Sequence, residues 1–321
     1  MFMFCRIRLT IKPSQNHLGK NVSLRSMWVN VFLRMFVKEH PGRQINVTSL
    51  RQKVQRLTQR QPAMPANVKY SQVDTQKMPH LCPAAWFTAH QTHCTVMYLH
   101  GGGYIFGNLE THRQICTYLS HAAQAQVLGV DYRLAPEHPY PAALDDALGW
   151  YRTLLQQVPA QHLILAGDSA GGGLVLACLQ AAKQENLPMP AGVVLFSPWV
   201  DLTCSGDTYQ TLADVDVMFH PDSLKQAAAM YLNGHPTTDP RASPLFGNFS
   251  GLPPMLIFAS HHELLLSDAM RLHEKAIANG IGSTLHLEKH LPHVWPTMVM
   301  LPEARKSLRM AANFISTLIR G

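Results

Sequence analysis

The feature that most constrains the fold of this chain is a short apolar run that meets a glycine-rich turn containing one serine. Residues 163–166 are uniformly apolar and predict a buried strand, and residues 174–183 are rich in helix formers. Between them, Gly167, Ser169 and Gly171 fit the pattern Gly-x-Ser-x-Gly. A strand that turns into a helix at such a serine holds the hydroxyl clear of the backbone, beside the positive helix N-terminus. An ordinary glycine-serine loop has the same local pattern, so the interpretation depends on the rest of the chain.

Strand and helix signals alternate along the chain from about residue 95. Further strands are predicted at residues 95–99, 127–130, 192–196, 255–259 and 284–288, with a weaker strand pair within 68–89. Further helices are predicted at residues 109–124, 142–157, 223–233, 268–279 and 302–319. The alternation predicts an α/β fold whose parallel sheet is covered by helices on both faces. With 46% hydrophobic and 15% charged residues, the composition is typical of a globular chain.

Two segments fall outside this alternation. The N-terminal segment, residues 1–70, contains short amphipathic helices predicted at residues 29–37 and 47–57. The second segment lies near residues 204–235. We expect both to form a helical cap over residues 71–321, the α/β domain that carries the chemistry.

The chain is basic, with a formal net charge of +7 and a pI of about 9.2. Lysine and arginine are concentrated early, at Arg43, Arg51, Lys53, Arg56 and Arg60. Their mixed spacing and the lack of a dense block favour a solvated basic face over a nucleic-acid surface. We therefore expect no nucleic-acid partner.

Cysteine spacing and the length of apolar runs indicate the compartment. The six cysteines form no Cys-x-x-Cys pair and no metal-ligand spacing, so free core thiols in a reducing compartment are expected. No apolar run reaches the length of a transmembrane helix, so no stable membrane insertion is expected. Residues 1–5 are too short for the core of a signal peptide. These negative signals make a cytoplasmic location the expectation.

A second glycine-rich turn follows the strand predicted at 95–99, where residues 100–103 read His-Gly-Gly-Gly. Three glycines let backbone N–H groups approach a substrate oxygen, and two such donors with the amide of Ala170 would surround a tetrahedral oxyanion. A flexible turn and a phosphate loop are the alternatives. A phosphate loop requires Gly-x-x-x-x-Gly-Lys-Ser/Thr, which is absent, and the dinucleotide fingerprint fails at Phe106.

A serine nucleophile also needs a base and an orienting acid. Among 18 histidines, His293 has the best position, in a proline-bounded loop after the last predicted strand. Two acids follow the preceding strand. Glu263 lies nearer the strand end, whereas Asp268 begins the next predicted helix and is expected to cap it. A zinc motif starting at His262 fails because Leu266 occupies the second histidine position, so no metal site is expected.

Over residues 70–321 the chain resembles the hormone-sensitive lipase-like family of α/β-hydrolases. The resemblance rests on the ordered motifs at residues 100–103 (His-Gly-Gly-Gly), 131–139 (Asp-Tyr-Arg-Leu-Ala-Pro-Glu-His-Pro), 167–172 (Gly-Asp-Ser-Ala-Gly-Gly), 197–202 (Ser-Pro-Trp-Val-Asp-Leu) and 292–293 (Pro-His). It implies the α/β-hydrolase fold, an eight-stranded and mostly parallel sheet flanked by helices, with a helical cap. It also implies Ser169 as nucleophile and His293 as base. Glu263 stands where the family often has an aspartate.

The resemblance further implies an oxyanion pocket. Its donors would be the backbone amides of Gly101, Gly102 and Ala170, and Asp168 would support the local loop. The remaining motif positions are His100, Gly103, Gly167 and Gly171.

The function that these motifs favour is hydrolysis of small soluble carboxylic esters with short- to medium-chain acyl groups, without a metal or cofactor. The main alternative is a non-catalytic small-molecule receptor on the same fold, which would be expected to lack a triad residue. Amide hydrolysis, deacetylation and acyl transfer use the same machinery and stay open. Similar proteins form paired dimers, so the resemblance also allows a homodimer.

Overall fold

The structure is a computed structural model that describes residues 22–58 and 67–320. The strands of the described residues are β1 (Val68–Gln72), β2 (Ala84–Ala89), β3 (Cys94–Leu99), β4 (Ala125–Val130), β5 (Leu163–Asp168), β6 (Gly192–Phe196), β7 (Met255–Ser260) and β8 (Ser283–Glu288). They form one sheet in the spatial order β1-β2-β4-β3-β5-β6-β7-β8. Strand β2 is antiparallel to both of its neighbours, and every other pairing is parallel. The predicted eight-stranded, mostly parallel sheet is confirmed.

Helices cover both faces of this sheet. The helices of the described residues are α1 (Leu24–Phe36), α2 (Val47–Thr58), α3 (Arg113–Ala123), α4 (Ala142–Leu155), α5 (Ala170–Gln184), α6 (Thr208–Thr211), α7 (Pro221–Leu232), α8 (Leu266–Ala278) and α9 (Pro302–Arg320). The apolar residues of α4, α5 and α8 share one core cluster, and those of α3 and α9 share the other. The α/β architecture predicted from the alternation, with helices on both faces of the sheet, is therefore present.

The central strands β3, β5, β6 and β7 are buried along their whole length. Successive side chains of a strand point to opposite faces, so β3 sends Val96 and Tyr98 into one cluster and Met97 and Leu99 into the other. This is why these strands read as continuous apolar runs. Because the strands are parallel, the loops at their carboxyl ends meet at one edge of the sheet.

The N-terminal cap segment, defined here as residues 22–58, contacts the segment around α7. The Lys38 ammonium donates to the carbonyl oxygens of Ala213 and Phe219, at 2.6 and 2.8 Å. Helices α1 and α2 correspond to the two amphipathic helices predicted there. The division into cap and α/β domain stays a prediction, but its boundary at residue 70 needs correction, because β1 already begins at Val68. Residues 1–21 and 59–66 of the predicted cap lie outside the described residues.

Helix α3 begins at Arg113, four residues later than predicted. The cause is a closed turn in which the Asn108 amide donates to the Thr111 hydroxyl and the Thr111 amide donates to the Asn108 side chain, both at 2.9 Å. Helix α5, in contrast, begins at Ala170, directly after the serine.

The described cysteines are free core thiols, as the sequence predicts. Cys82, Cys94, Cys116, Cys178 and Cys204 are all buried and unpaired by disulfides. Cys5 lies outside the described residues. Within residues 22–58 and 67–320, the helices are too short or too polar to cross a bilayer. The cytoplasmic location stays a prediction.

Candidate active site

Ser169 lies at the corner between β5 and α5 with a φ of +52°, a backbone conformation that L residues rarely adopt. Hydrogen bonds hold it there: its amide donates to the Phe196 carbonyl and its carbonyl accepts from the Trp199 amide, both at 2.9 Å. A Cβ on Gly171 would lie 2.1 Å from the Leu99 carbonyl oxygen, so only glycine lets α5 approach β3 this closely. The strained serine is therefore kept in place by the surrounding structure.

Asp168 joins this corner to the His-Gly-Gly-Gly loop. Its carboxylate accepts hydrogen bonds from the Tyr98 hydroxyl at 2.8 Å and the Gly101 amide at 3.0 Å, and lies 3.3 Å from the His112 ring nitrogen. Burial works to raise the pKa of Asp168, but His112 and the Tyr98 hydrogen bond outweigh it and hold the pKa below its usual value. An ionised carboxylate thus links the two glycine-rich turns.

This link corrects the predicted oxyanion donors. The Gly101 amide is already engaged by Asp168, so it is not available to a substrate oxygen. Within the described ranges, the amides of Gly102, Gly103 and Ala170 donate to no protein acceptor. Gly103, which the sequence suggested only as motif support, lines the same pocket as Ser169.

His100 supports the His-Gly-Gly-Gly loop, and its ring is neutral. Its ring stacks on Tyr132 with centroids 4.1 Å apart, and its Nδ1 lies 2.8 Å from the Gly101 carbonyl oxygen. Burial, together with the nearby His112, lowers the pKa of His100 to about 3. Since a carbonyl can only accept, Nδ1 carries the ring proton and donates it to Gly101.

His293 and Glu263 form a buried pair. Glu263 Oε2 lies 2.5 Å from His293 Nδ1, and both side chains are almost completely buried. The other carboxylate oxygen accepts the Ser260 amide at 2.6 Å and the Ser197 hydroxyl at 3.0 Å. A carboxylate can only accept, so Nδ1 carries the proton and Nε2 presents its lone pair. Among the described residues, buried Nε2 has no hydrogen-bond partner.

Ser197 positions the histidine–acid pair, although the motif at residues 197–202 did not predict a role for it. Its hydroxyl donates to Glu263 and accepts from the Val294 amide at 3.1 Å. It therefore holds both the acid and the loop that carries His293. The available signal was a serine-proline pair directly after a predicted strand, but its partners are far away in sequence.

Phe219 connects the pocket that Ser169 lines with the His293–Glu263 pair. It lines a pocket together with Ser169, and its ring packs edge-on against that of His293, with centroids 5.1 Å apart. The pocket contains about 340 Å³ of empty volume. Apolar side chains form most of its wall, among them Ile45, Leu50, Ile105, Leu224 and Ala227.

Asp216 holds the segment that carries Phe219, and no sequence motif pointed to this residue. Its carboxylate accepts the amides of Met218 and Phe219, at 2.7 and 3.0 Å, and on its other oxygen the amide of Leu264 at 2.9 Å. Leu264 directly follows Glu263. The pocket wall and the acid loop are thus tied to each other.

The capping role predicted for Asp268 is wrong. Helix α8 begins at Leu266, and the Asp268 carboxylate instead accepts the backbone amides of Val200 and Asp201, both at 3.0 Å. Burial and the Asp201 carboxylate raise its pKa to about 8. Of the two acids considered from sequence, Glu263 is the one bonded to His293.

No group of three or more His, Cys, Asp or Glu side chains in residues 22–58 and 67–320 is arranged to hold a metal ion. The chain's independence of a metal or cofactor stays a prediction.

A strand-to-helix serine, a glycine loop and a buried histidine–acid pair at one edge of this sheet define a hydrolase of the α/β type. A family model described as alpha/beta hydrolase fold matches residues 96–297. An acetyl-hydrolase of Streptomyces hygroscopicus is 40% identical over 239 residues, which cover 74% of this chain and 80% of that protein. The chain belongs to the α/β-hydrolase family, in its hormone-sensitive lipase-like branch.

Solved structures agree with this membership. A crystal structure of EstE5 soaked with p-nitrophenyl butyrate has a TM-score of 0.86 at 38% identity, and covers 93% of this chain and 100% of that one. A crystal structure of an esterase from the bacterial hormone-sensitive lipase family has a TM-score of 0.86 at 32% identity, with 94% and 100% covered. The chain is an enzyme of the carboxylesterase class, which contradicts the receptor alternative.

Proposed function

We propose that this enzyme hydrolyses small carboxylic esters with short- to medium-chain acyl groups, using Ser169 as nucleophile, His293 as base and Glu263 as orienting acid. The observation that carries the proposal is the buried His293–Glu263 pair. It leaves Nε2 of the imidazole unpartnered among the described residues, and the His293 ring packs against Phe219, which lines the same pocket as Ser169. An imidazole held in this tautomer is the group that serine needs to release its proton.

In the first half of the reaction, the Ser169 hydroxyl oxygen attacks the ester carbonyl and its proton passes to His293 Nε2. The amides of Gly102, Gly103 and Ala170 donate to the oxyanion that forms. One such donor is typically worth roughly 3 kcal/mol of the barrier. Collapse of the tetrahedral intermediate breaks the bond to the alcohol, which leaves with the proton from His293.

In the second half, water attacks the acyl group on Ser169 and gives its proton to His293. The second tetrahedral intermediate collapses, the carboxylic acid leaves, and Ser169 regains its proton. Glu263 stabilises the imidazolium in both halves through the bond to Nδ1. The cycle consumes one ester and one water.

The polarity of the pocket favours apolar acyl groups. Ile105, Leu224 and Ala227 form apolar wall close to Ser169. The relatives support a short chain, because one is named an acetyl-hydrolase and the crystal of another was soaked with p-nitrophenyl butyrate.

A p-nitrophenyl ester series from acetate to palmitate, run on the wild-type enzyme and on Ser169→Ala, tests the proposal. We expect kcat/KM to be highest at acetate or butyrate, to fall towards palmitate, and to vanish in the variant. A fluorophosphonate probe should label the wild type at Ser169 only. Retained turnover or labelling in Ser169→Ala would remove the nucleophile assignment, and a matched acyl anilide would reveal amide hydrolysis.

A further inference from the structure

Helix α1 has an unusual surface, because a broad stripe of large apolar side chains lies on its exposed side. They recur at three- and four-residue spacing along the helix. The members of this outer stripe are Leu24, Met27, Trp28, Val31, Phe32, Met35 and Phe36. All seven are exposed, with Trp28 at 74% and Met35 at 69% of full exposure. A contiguous apolar patch of this kind marks an interaction surface.

The opposite face of α1 is attached to the rest of the protein by polar contacts. Glu303 accepts the Ser23 amide at 2.6 Å and the Ser26 hydroxyl at 2.9 Å, and the Asn30 side chain donates to the His290 carbonyl at 2.8 Å. Ser26 and Leu33 are buried on this face. A surface helix ordinarily turns its apolar stripe inward. Here the contacts hold the helix with the stripe outward.

The charges of the N-terminal cap segment itself are almost all of one sign. The N-terminal cap segment contains seven Lys or Arg residues and one acid, Glu39, which gives it a net charge of +6. Glu39 lines the pocket rather than the outer surface. The exposed basic residues are Arg25, Arg34, Arg43, Lys53 and Arg56. At 100° per residue, Arg34 falls on one border of the stripe beside Met27, and Arg25 lies near the other border, between Phe32 and Phe36.

We propose that the N-terminal cap segment docks on an anionic lipid surface, with α1 lying in the plane of the interface. An exposed Trp, Phe, Leu and Met face bordered by arginines is the chemistry that recognises such a surface. A second copy of the chain is the less favourable occupant, because it would bring the same net charge of +6 against itself. The docked segment also supplies Ile45 and Leu50 to the pocket wall, so the pocket lies close to the interface.

Binding to vesicles tests this proposal independently of turnover. The full chain is mixed with large unilamellar vesicles of phosphatidylcholine alone, or of phosphatidylcholine and phosphatidylglycerol in equal parts, and co-flotation is measured. We expect binding to the mixed vesicles, weakened by added salt because screening reduces the lipid–arginine attraction. Tryptophan emission should shift to the blue because of Trp28, since Trp150, Trp199 and Trp295 are already buried and Trp86 is half-buried in β2.

The variant Trp28→Ser/Phe32→Ser should lose about tenfold or more in vesicle affinity. The matched control is Met270→Ser/Ile277→Ser, which removes two exposed apolar side chains from α8 and should bind like the wild type. Both variants should keep wild-type kcat/KM on p-nitrophenyl acetate. In Trp28→Phe the blue shift should disappear while binding persists.

Three outcomes would overturn the proposal. One is the absence of flotation with the mixed vesicles. Another is a concentration-dependent dimer in sedimentation that Trp28→Ser/Phe32→Ser dissolves, which would make a second copy the occupant. The third is protection of Trp28 from iodide quenching in the lipid-free monomer, which would mean that another segment of the chain covers the stripe.

Discussion

The ends of the central strands and the N-terminal cap segment are held in two different ways. At the strand ends, side chains hold one another: Glu263 receives hydrogen bonds from Ser260, Ser197 and His293. In the cap segment, the Lys38 ammonium holds three backbone carbonyls of the facing loop, and the outer face of α1 is exposed. The difference indicates that changes at the strand ends should alter the chemical step, whereas changes to the contacts that hold the cap segment against this loop should alter substrate access.

Two buried carboxylates show the same contrast. Asp168, at a strand end, has hydrogen-bond donors on both oxygens and a pKa below its usual value. Glu39, in the cap segment, leaves its Oε2 without a partner among the described residues, and burial and the nearby Asp216 raise its pKa. One site therefore stabilises an ionised acid and the other a protonated one.

The largest effect should come from removing the charge that faces His293. We expect Glu263→Gln to lower kcat by about a thousandfold or more, because an amide does not stabilise the imidazolium and can impose the wrong tautomer. Asp268→Asn is the matched control, since the Asp268 carboxylate accepts the amides of Val200 and Asp201 and not the His293 ring, and it should keep kcat within a few fold. Steady-state kinetics on p-nitrophenyl acetate measure both. Equal losses in the two variants would contradict the assignment of the acid.

A smaller effect at the same strand ends should follow Ser197→Ala. The change removes the donor to Glu263 and the acceptor of the Val294 amide, so we expect kcat to fall roughly 10- to 100-fold with little change in KM. Ser120→Ala is the matched control, because it deletes another buried hydroxyl, which donates to the Ala125 carbonyl. It should lower the melting temperature about as much as Ser197→Ala does, without lowering kcat. A KM effect without a kcat effect would show that Ser197 does not position the acid.

The fold and the core of the site were predictable where the signal is local. Apolar runs of strand length gave the central strands, and the glycine pattern gave the corner at Ser169. Helix α3 began late because Asn108 and Thr111 close a turn that apolar periodicity does not reveal. The neighbours of a motif are visible in sequence, but the contacts between motifs are not.

Those long-range contacts account for what the sequence missed. Gly101 was expected to be an oxyanion donor because it lies in the motif, but Asp168, from another strand end, engages its amide. Phe219 and Asp216 belong to a segment with no motif at all, and only the folded chain places them beside Glu263 and His293.

In the N-terminal cap segment, we expect a substitution at Lys38 to change KM more than kcat. Lys38→Met removes hydrogen bonds to the carbonyls of Ala213, Asp216 and Phe219, so the loop that carries Phe219 should loosen. We expect KM to rise several-fold, kcat to change less, and stability to fall by about 2 kcal/mol, because hydrogen bonds from a charged group are lost. Lys225→Met is the control, since Lys225 is exposed on α7. A pure kcat loss would contradict the contrast between cap and strand ends.

The smallest expected effect is a change in the pH dependence of the melting temperature, caused by the raised pKa of Glu39. Because that pKa lies above its ordinary 4.5, the folded protein binds more protons than the unfolded chain between the two values. The stability contributed by the protonated acid is complete below the ordinary pKa and is lost as pH rises through the raised one. Glu39→Gln removes this loss, so the melting temperature of the variant should rise relative to that of the wild type as pH rises.

Glu137→Gln is the control. Glu137 is exposed and paired with Arg51, which lowers its pKa. The small stability that ionised Glu137 contributes should be lost as pH falls. If the melting temperature of Glu137→Gln instead rose relative to the wild type with rising pH, this interpretation of the two carboxyl groups would be contradicted.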